Sequence, residues 1–203
     1  MIGSEGVTRA IVRRLRADLP ARLAELRTRY QADVDQLPAV KLIEPDEFDV
    51  LSVDQYPAIF VVPVDTTGRL DNRQLEATGA FDEYSFTYNM QVYIYARGDD
   101  FKSTSLQTKR YTLAVREVLL AHKTLLDGVE NLAVEPRSLR EAYSKLASVP
   151  DSSKFIGGAY IDVQIVSEER VSSLTQTGVE VTIEHDEAVT VKHEELPHWN
   201  QDV

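Results

Sequence analysis

Three of the four histidines in this chain, His185, His193 and His198, fall within one short C-terminal stretch among Glu184, Asp186, Glu187, Glu194 and Glu195. Imidazole nitrogen beside carboxylate oxygen is a donor set that divalent transition metals accept. These residues, however, flank a short hairpin pattern and the chain's last residues, where nothing in the sequence fixes ligand geometry. His122 falls late on a helical pattern and beside its apolar side, the place of a packed or snorkelling residue rather than a base. The acid pairs Asp99-Asp100, Glu168-Glu169 and Glu194-Glu195 are adjacent, so in extended chain their side chains point to opposite faces. They do not form a matched general acid and base. Gly157-Gly158 lies inside a strand pattern, where it suits a bulge or a close backbone approach better than a phosphate cradle. No catalytic, cofactor-binding or metal-binding residue is assigned, and no cofactor or enzymatic activity is expected.

The remaining signatures of chemistry are missing as well. There is no P-loop, no Gly-rich dinucleotide turn after a strand, no G-x-S-x-G and no H-E-x-x-H. With no cysteine among 203 residues, thiolate nucleophiles, disulfides and Cys-ligated zinc are excluded. A formal charge of −11 argues against a general nucleic-acid binder, which needs a basic face. No apolar run approaches the roughly 20 residues of a membrane span, and the first residues lack the apolar core of a signal peptide, so no membrane partner is expected. At 43% hydrophobic and 27% charged, the chain has enough apolar surface to bury a core without staples. What chemistry it has is that of surfaces.

The charges that make those surfaces are segregated. Residues 1–31 carry seven arginines against three acids, residues 33–54 seven acids against Lys41 alone, and residues 167–203 nine acids against Arg170 and Lys192. Oppositely charged runs of this kind suit contacts between copies; each also suits a plain solvated face.

The elements that would hold these surfaces follow from periodicity. Ile11, Leu15, Leu19, Leu23, Leu26 and Tyr30 recur at three- and four-residue steps and predict a helix over about 5–33. Pro20 falls inside it, either as a kink or as the start of a second helix. Residues 34–56 hold two prolines and no sustained period, and read as an acidic loop over the body. Ala58–Val62 reads as a short buried strand, Thr67-Gly68 as a turn, and 72–79 as a weaker strand. The alternation over 83–96 is the strongest strand signal, with Tyr84, Phe86, Tyr88, Met90, Val92 and Ile94 facing a core. Ser103 or Ser105 is expected to cap a helix over about 104–126. Segment 131–147 fits strand and helix alike. A strand over 154–167 turns Phe155, Ala159, Ile161, Val163 and Ile165 inward. Val179–Ile183 and Val189–Val191 read as a terminal hairpin. The order α-β-β-β-α-β-β is that of an α+β fold, with two helices on an antiparallel or mixed sheet, and a C-terminal β-hairpin. The expected division is an α+β domain over 1–171 and a hairpin extension over 172–203.

The second helix has two apolar sides. Tyr111, Ala114, Val115, Val118, Leu119 and Leu126 form a core face. Leu106, Leu113 and Leu120 recur every seven residues well away from it, beside a basic row of Lys102, Lys109, Arg116 and Lys123. Such a pair of rows suits either a seam for another subunit or cover by the acidic segments of the same chain. The subunit-interface candidates are Leu106, Leu113, Leu120, Lys109, Arg116 and Lys123, with Val179, Val181 and Ile183 of the hairpin.

The order of elements over roughly 5–170 resembles the tail-terminator (tail-completion, or minor tail) proteins of long-tailed bacteriophages. The resemblance is carried by Tyr56-Pro-Ala-Ile-Phe-Val-Val-Pro63, by Tyr84 through Gly98 with its short acidic turn Asp99-Asp100, by Lys109 through Leu120, and by Lys154 through Val166. It implies a homo-oligomeric ring, usually a hexamer, that stops polymerisation of the major tail tube protein and presents a surface to the head-side connector or stopper. Genomic DNA would pass through without specific binding. The implied location is the head-proximal end of the virion tail, after assembly in the host cytoplasm. A head-completion or stopper protein, and a non-viral monomeric α+β binding module, are the other readings.

Overall fold

Apolar residues at helical spacing bury one side of α1, Gly3–Tyr30, through Val7, Ile11, Leu15, Leu19, Leu23 and Leu26. The computed structural model describes residues 3–45, 55–73, 81–121, 124, 132–149 and 153–172. Pro20 lies within this one continuous helix, and its missing N–H withdraws the usual helical donor from the Arg16 carbonyl. Tyr30, at the end of the predicted stripe, is exposed rather than buried.

The acidic stretch after α1 is not all loop. Leu37 is fully buried, and Leu42–Pro45 form a short strand, β1, parallel to β2 (Ala58–Arg73). A four-residue strand carries too little periodicity to register in sequence, and only its pairing with Ala58–Val61 makes it one. Residues 46–54 lie outside the described chain. The expected turn at Thr67-Gly68 is also corrected, because β2 runs through it and pairs antiparallel with β3, Phe81–Gly98. Gly68 faces Phe86, and a Cβ there would meet the ring at 2.6 Å. The glycine makes room for an aromatic ring across the strands, not for a turn. The expected strand at 72–79 begins as the end of β2; 74–80 are outside the described residues.

Helix α2 spans Phe101–Ala121 and starts earlier than its pattern suggested. Asp100, not a serine, is the cap: its Oδ2 accepts from the Ser103 N–H at 2.7 Å and its carbonyl from the Thr104 N–H at 3.0 Å. The ambiguous segment is strand β4, Ala133–Tyr143, with Pro136 in a bulge where the partner shifts from Glu135–Gln164 to Arg140–Asp162. Ser138 Oγ bridges the gap, donating to the Glu135 carbonyl at 2.7 Å and accepting from the Gln164 N–H at 2.8 Å. A side chain thus replaces ladder bonds that the bulge removes. A two-residue strand β5, Ala147–Ser148, pairs with β6, Phe155–Ser172.

The result is an α+β fold with a six-stranded mixed sheet in the order β1-β2-β3-β6-β4, β5 pairing with β6 off that path. Both helices pack on one face, over Ile59, Val61, Met90, Val92, Ile94, Ile161, Val163 and Ile165. That face is the one predicted from the alternation of 83–96. Gly157 lets α2 approach β6 closely, since a Cβ there would fall 2.5 Å from Thr108 Oγ1. Thr104, Thr108 and Thr112 form a buried row, each hydroxyl donating to the carbonyl four residues earlier, so short side chains face the sheet without stranding a donor. The predicted terminal hairpin, with Val179, Val181 and Ile183, lies outside the described residues.

Candidate functional site

The side of α2 turned away from the sheet is where sequence placed the interaction rows. Leu106 and Leu120, at 45% and 37% exposure, lie open at either end. Leu113 between them is half-buried and packs against the core. The apolar row is therefore two open leucines joined by a third that also serves the interior. Lys109 is exposed, whereas Arg116 turns to β4, where Nη1 donates to Glu141 Oε1 at 2.8 Å. Lys123 and Leu126 lie outside the described residues, as does His122. The structure thus brings Leu106, Lys109, Leu113, Arg116 and Leu120 onto one helix surface, but commits Arg116 to its own chain.

Glu141 also accepts the Tyr143 hydroxyl on Oε2 at 2.8 Å. Burial, followed by that bond and the carboxylate charge, pushes the phenol up to about 12. Arg116, Glu141 and Tyr143 tie the middle of α2 to the outermost strand of the sheet.

Sequence reasoning missed the neighbours that widen this surface. Tyr30 and Val34, at the end of α1 and just beyond it, are exposed. The Arg110 guanidinium lies over the Tyr30 ring at 5.0 Å, while its Nε is buried with no acceptor among the described residues. Gln107 donates to the Gln36 carbonyl at 3.1 Å, which ties the turn after α1 to the start of α2. Arg29 pairs with Glu117 at 2.8 Å, and that bond holds the Arg29 guanidinium above its ordinary value. Arg22 reaches Glu117 at 3.7 Å. Leu106, Tyr30, Val34 and Leu120 are the apolar points of a surface made jointly by both helices, and its charges are largely paired within it.

The opposite face of the sheet carries the tyrosines expected from the alternation. Tyr93 and Tyr95 stack at 6.3 Å, Tyr160 lies 5.8 Å from Tyr93, and Gln91 donates to Asp162 at 2.9 Å. Among the described residues, no three histidine, aspartate or glutamate side chains gather as a metal site. His185, His193 and His198 are outside them. No described helix is long and apolar enough to cross a membrane.

No family model and no curated protein matches this chain. Among solved structures, it is similar to a chain of the virion of a native gene transfer agent particle at 15% identity and a TM-score of 0.33, covering 82% of this chain and 94% of that one.

Proposed function

We propose that this chain is a structural protein of a phage-type virion, a tail terminator that assembles into a ring on the tail tube. The observation that carries this reading is the exposed apolar row of α2, with Leu106 and Leu120 open on a helix whose other side is fully committed to the core. The coarse order of the fold, an N-terminal helix, three strands, a second helix and further strands, supports the layout resemblance. A helix row on one side of a subunit that meets a different surface on its neighbour makes a head-to-tail contact, which closes into a ring where the rotation between neighbours closes. The ring, a hexamer in this reading, ends polymerisation of the major tail tube protein and joins the tail to the head-side connector or stopper. Genomic DNA passes through it unbound, and an acidic chain suits passage rather than retention. The residues beyond 171 act as an extension of the α+β domain, with Val179, Val181 and Ile183 contributing to subunit contacts.

Because Leu113 also packs on the core, the informative variants are Leu106→Asp and Leu120→Asp. Each should abolish ring assembly in sedimentation, alone or with tail tube protein, while circular dichroism stays that of the folded subunit. Assembly unchanged in both variants would refute the α2 seam, and a wild-type chain that stays monomeric with tube protein present would refute the ring.

A further inference from the structure

Beside the middle of α1, against β1, runs a cleft of about 300 Å³, at the small end of the roughly 300–1,000 Å³ usual for binding clefts. Leu19, Leu23 and Ile43 give it an apolar floor, and Arg16, Arg27 and Lys41 a basic rim, with Glu44 as the opposing charge. β1 is the last strand in the sheet order and, among the described residues, pairs only with β2. The Ile43 carbonyl is taken by a side chain instead of a strand: Arg16 donates to it from Nε at 3.0 Å and Nη2 at 2.6 Å, and Nη2 also reaches Glu44 at 2.7 Å. Arg16 is more than half exposed. Its side chain caps the strand edge from the surface and is no part of the buried core.

An edge strand next to an apolar cleft with a basic rim suits one kind of guest, an extended segment that alternates apolar and acidic side chains and adds to the sheet. Main-chain bonds to β1 would replace those of Arg16, the apolar side chains would enter the cleft, and the basic rim would attract the acidic segment through its overall charge rather than by side-chain contact. The sequence Val179-Glu-Val-Thr-Ile-Glu184 has that alternation, within the acidic C-terminal stretch of nine acids against two bases. We infer that the α1–β1 cleft receives residues 179–184 of a second copy. This rests on the ring-forming reading above and names a second contact for it. Each copy gives one segment and accepts one, the relation a head-to-tail ring requires.

The chain has no cysteine, so single thiols report on the contact. Lys41→Cys copies, mixed with Glu180→Cys copies under mild oxidation, should form a mixed disulfide dimer about tenfold more abundant than Thr66→Cys copies do with the same partner. Equal yields overturn the assignment. So does a double variant, Lys41→Cys with Glu180→Cys, that closes only within its own chain. Sedimentation of the unsubstituted protein separates the two failures: self-association without the mixed dimer refutes the cleft alone, whereas neither refutes both readings. Lys41→Glu, a change at an exposed side chain, should weaken self-association several-fold at low salt, and the difference should shrink as salt rises. An effect that is independent of salt would count against the charged rim.

Discussion

Two halves of the same three strands are held together by different forces. Where the helices cover them, Met90, Val92 and Ile94 of β3, Ile161, Val163 and Ile165 of β6, and Ile59 and Val61 of β2 are buried almost completely. Where β2, β3 and β6 run on beyond that cover, the alternation continues but the inward positions Tyr84 and Phe86 are only half-buried, and residues 64–71 of β2 are all exposed. The uncovered half substitutes contacts along and across its strands for a core. Tyr84 stacks on Phe86 at 5.8 Å and Phe86 lies 6.2 Å from Tyr88, while Asp71 accepts from Ser85 and Arg69, and Arg170 pairs with Glu83 at 3.0 Å. Tyr88 marks the boundary: it is buried and donates to Glu169 Oε1 at 2.7 Å, and burial together with that bond raises its phenol pKa. The lesson is that strand length follows from pairing, whereas burial follows from how far the helices reach.

The largest expected effect comes from the covered half. Ile161→Ala should lower unfolding free energy in urea by about 2–5 kcal/mol, because it leaves a cavity in packed surroundings. Phe86→Ala removes more atoms, yet it should cost less, since the ring is already half in water. Equal losses would break the comparison.

The two tight glycines sharpen it. Gly157→Ala puts a methyl 2.5 Å from Thr108 Oγ1, on a helix that cannot retreat from the core, and should cost about 1–3 kcal/mol. Adding Thr108→Ala should recover part of that loss in a double-mutant cycle. Gly68→Ala meets the Phe86 ring at 2.6 Å in the uncovered half, where the ring can swing, so its denaturation midpoint should move less than that of Gly157→Ala. A larger loss at Gly68 would mean that the ribbon is as rigid as the core.

A smaller effect is expected at the edge of the covered sheet. The Tyr143 phenol, raised from 10.0 to about 12 by burial and then by Glu141, favours the folded state in its protonated form. That contribution is complete below pH 10 and lost as pH rises through the folded value, so it disappears between about 10 and 12. Tyr143→Phe should therefore make stability fall less steeply with pH across that window. Identical slopes would show that the Glu141 contact does not persist in solution.

The smallest effect belongs to the ribbon's charges. Ser85 and then Arg69 hold the Asp71 carboxyl below its ordinary value, but the pair lies at the surface of the uncovered half. Asp71→Asn should leave the denaturation midpoint unmoved, as exposed pairs are screened and entropically costly. A clear drop would show that the uncovered half depends on its charges.

Local periodicity determined much of this protein. The inward stripe of α1 from Ile11 to Leu26, the register of β3 from Tyr88 to Ile94, the inward set of β6 and the core side of α2 were all legible, because each repeats often enough to fix a face. The tyrosine-rich outer sheet face and the open leucines at 106 and 120 were legible for the same reason. Only the tertiary structure decided the rest. β1 is a strand because β2 lies beside it, and Thr67-Gly68 continues β2 because Phe86 fills the glycine's space. β4 is a strand despite Pro136 because Ser138 repairs its ladder. Leu113 is half-buried and Arg116 engaged because the core and β4 reach that side of α2. The joint surface of Tyr30, Val34 and Arg110 and the cleft beside β1 came from packing between distant segments. Such features depend on which elements meet, and a single segment's pattern holds no record of its neighbour.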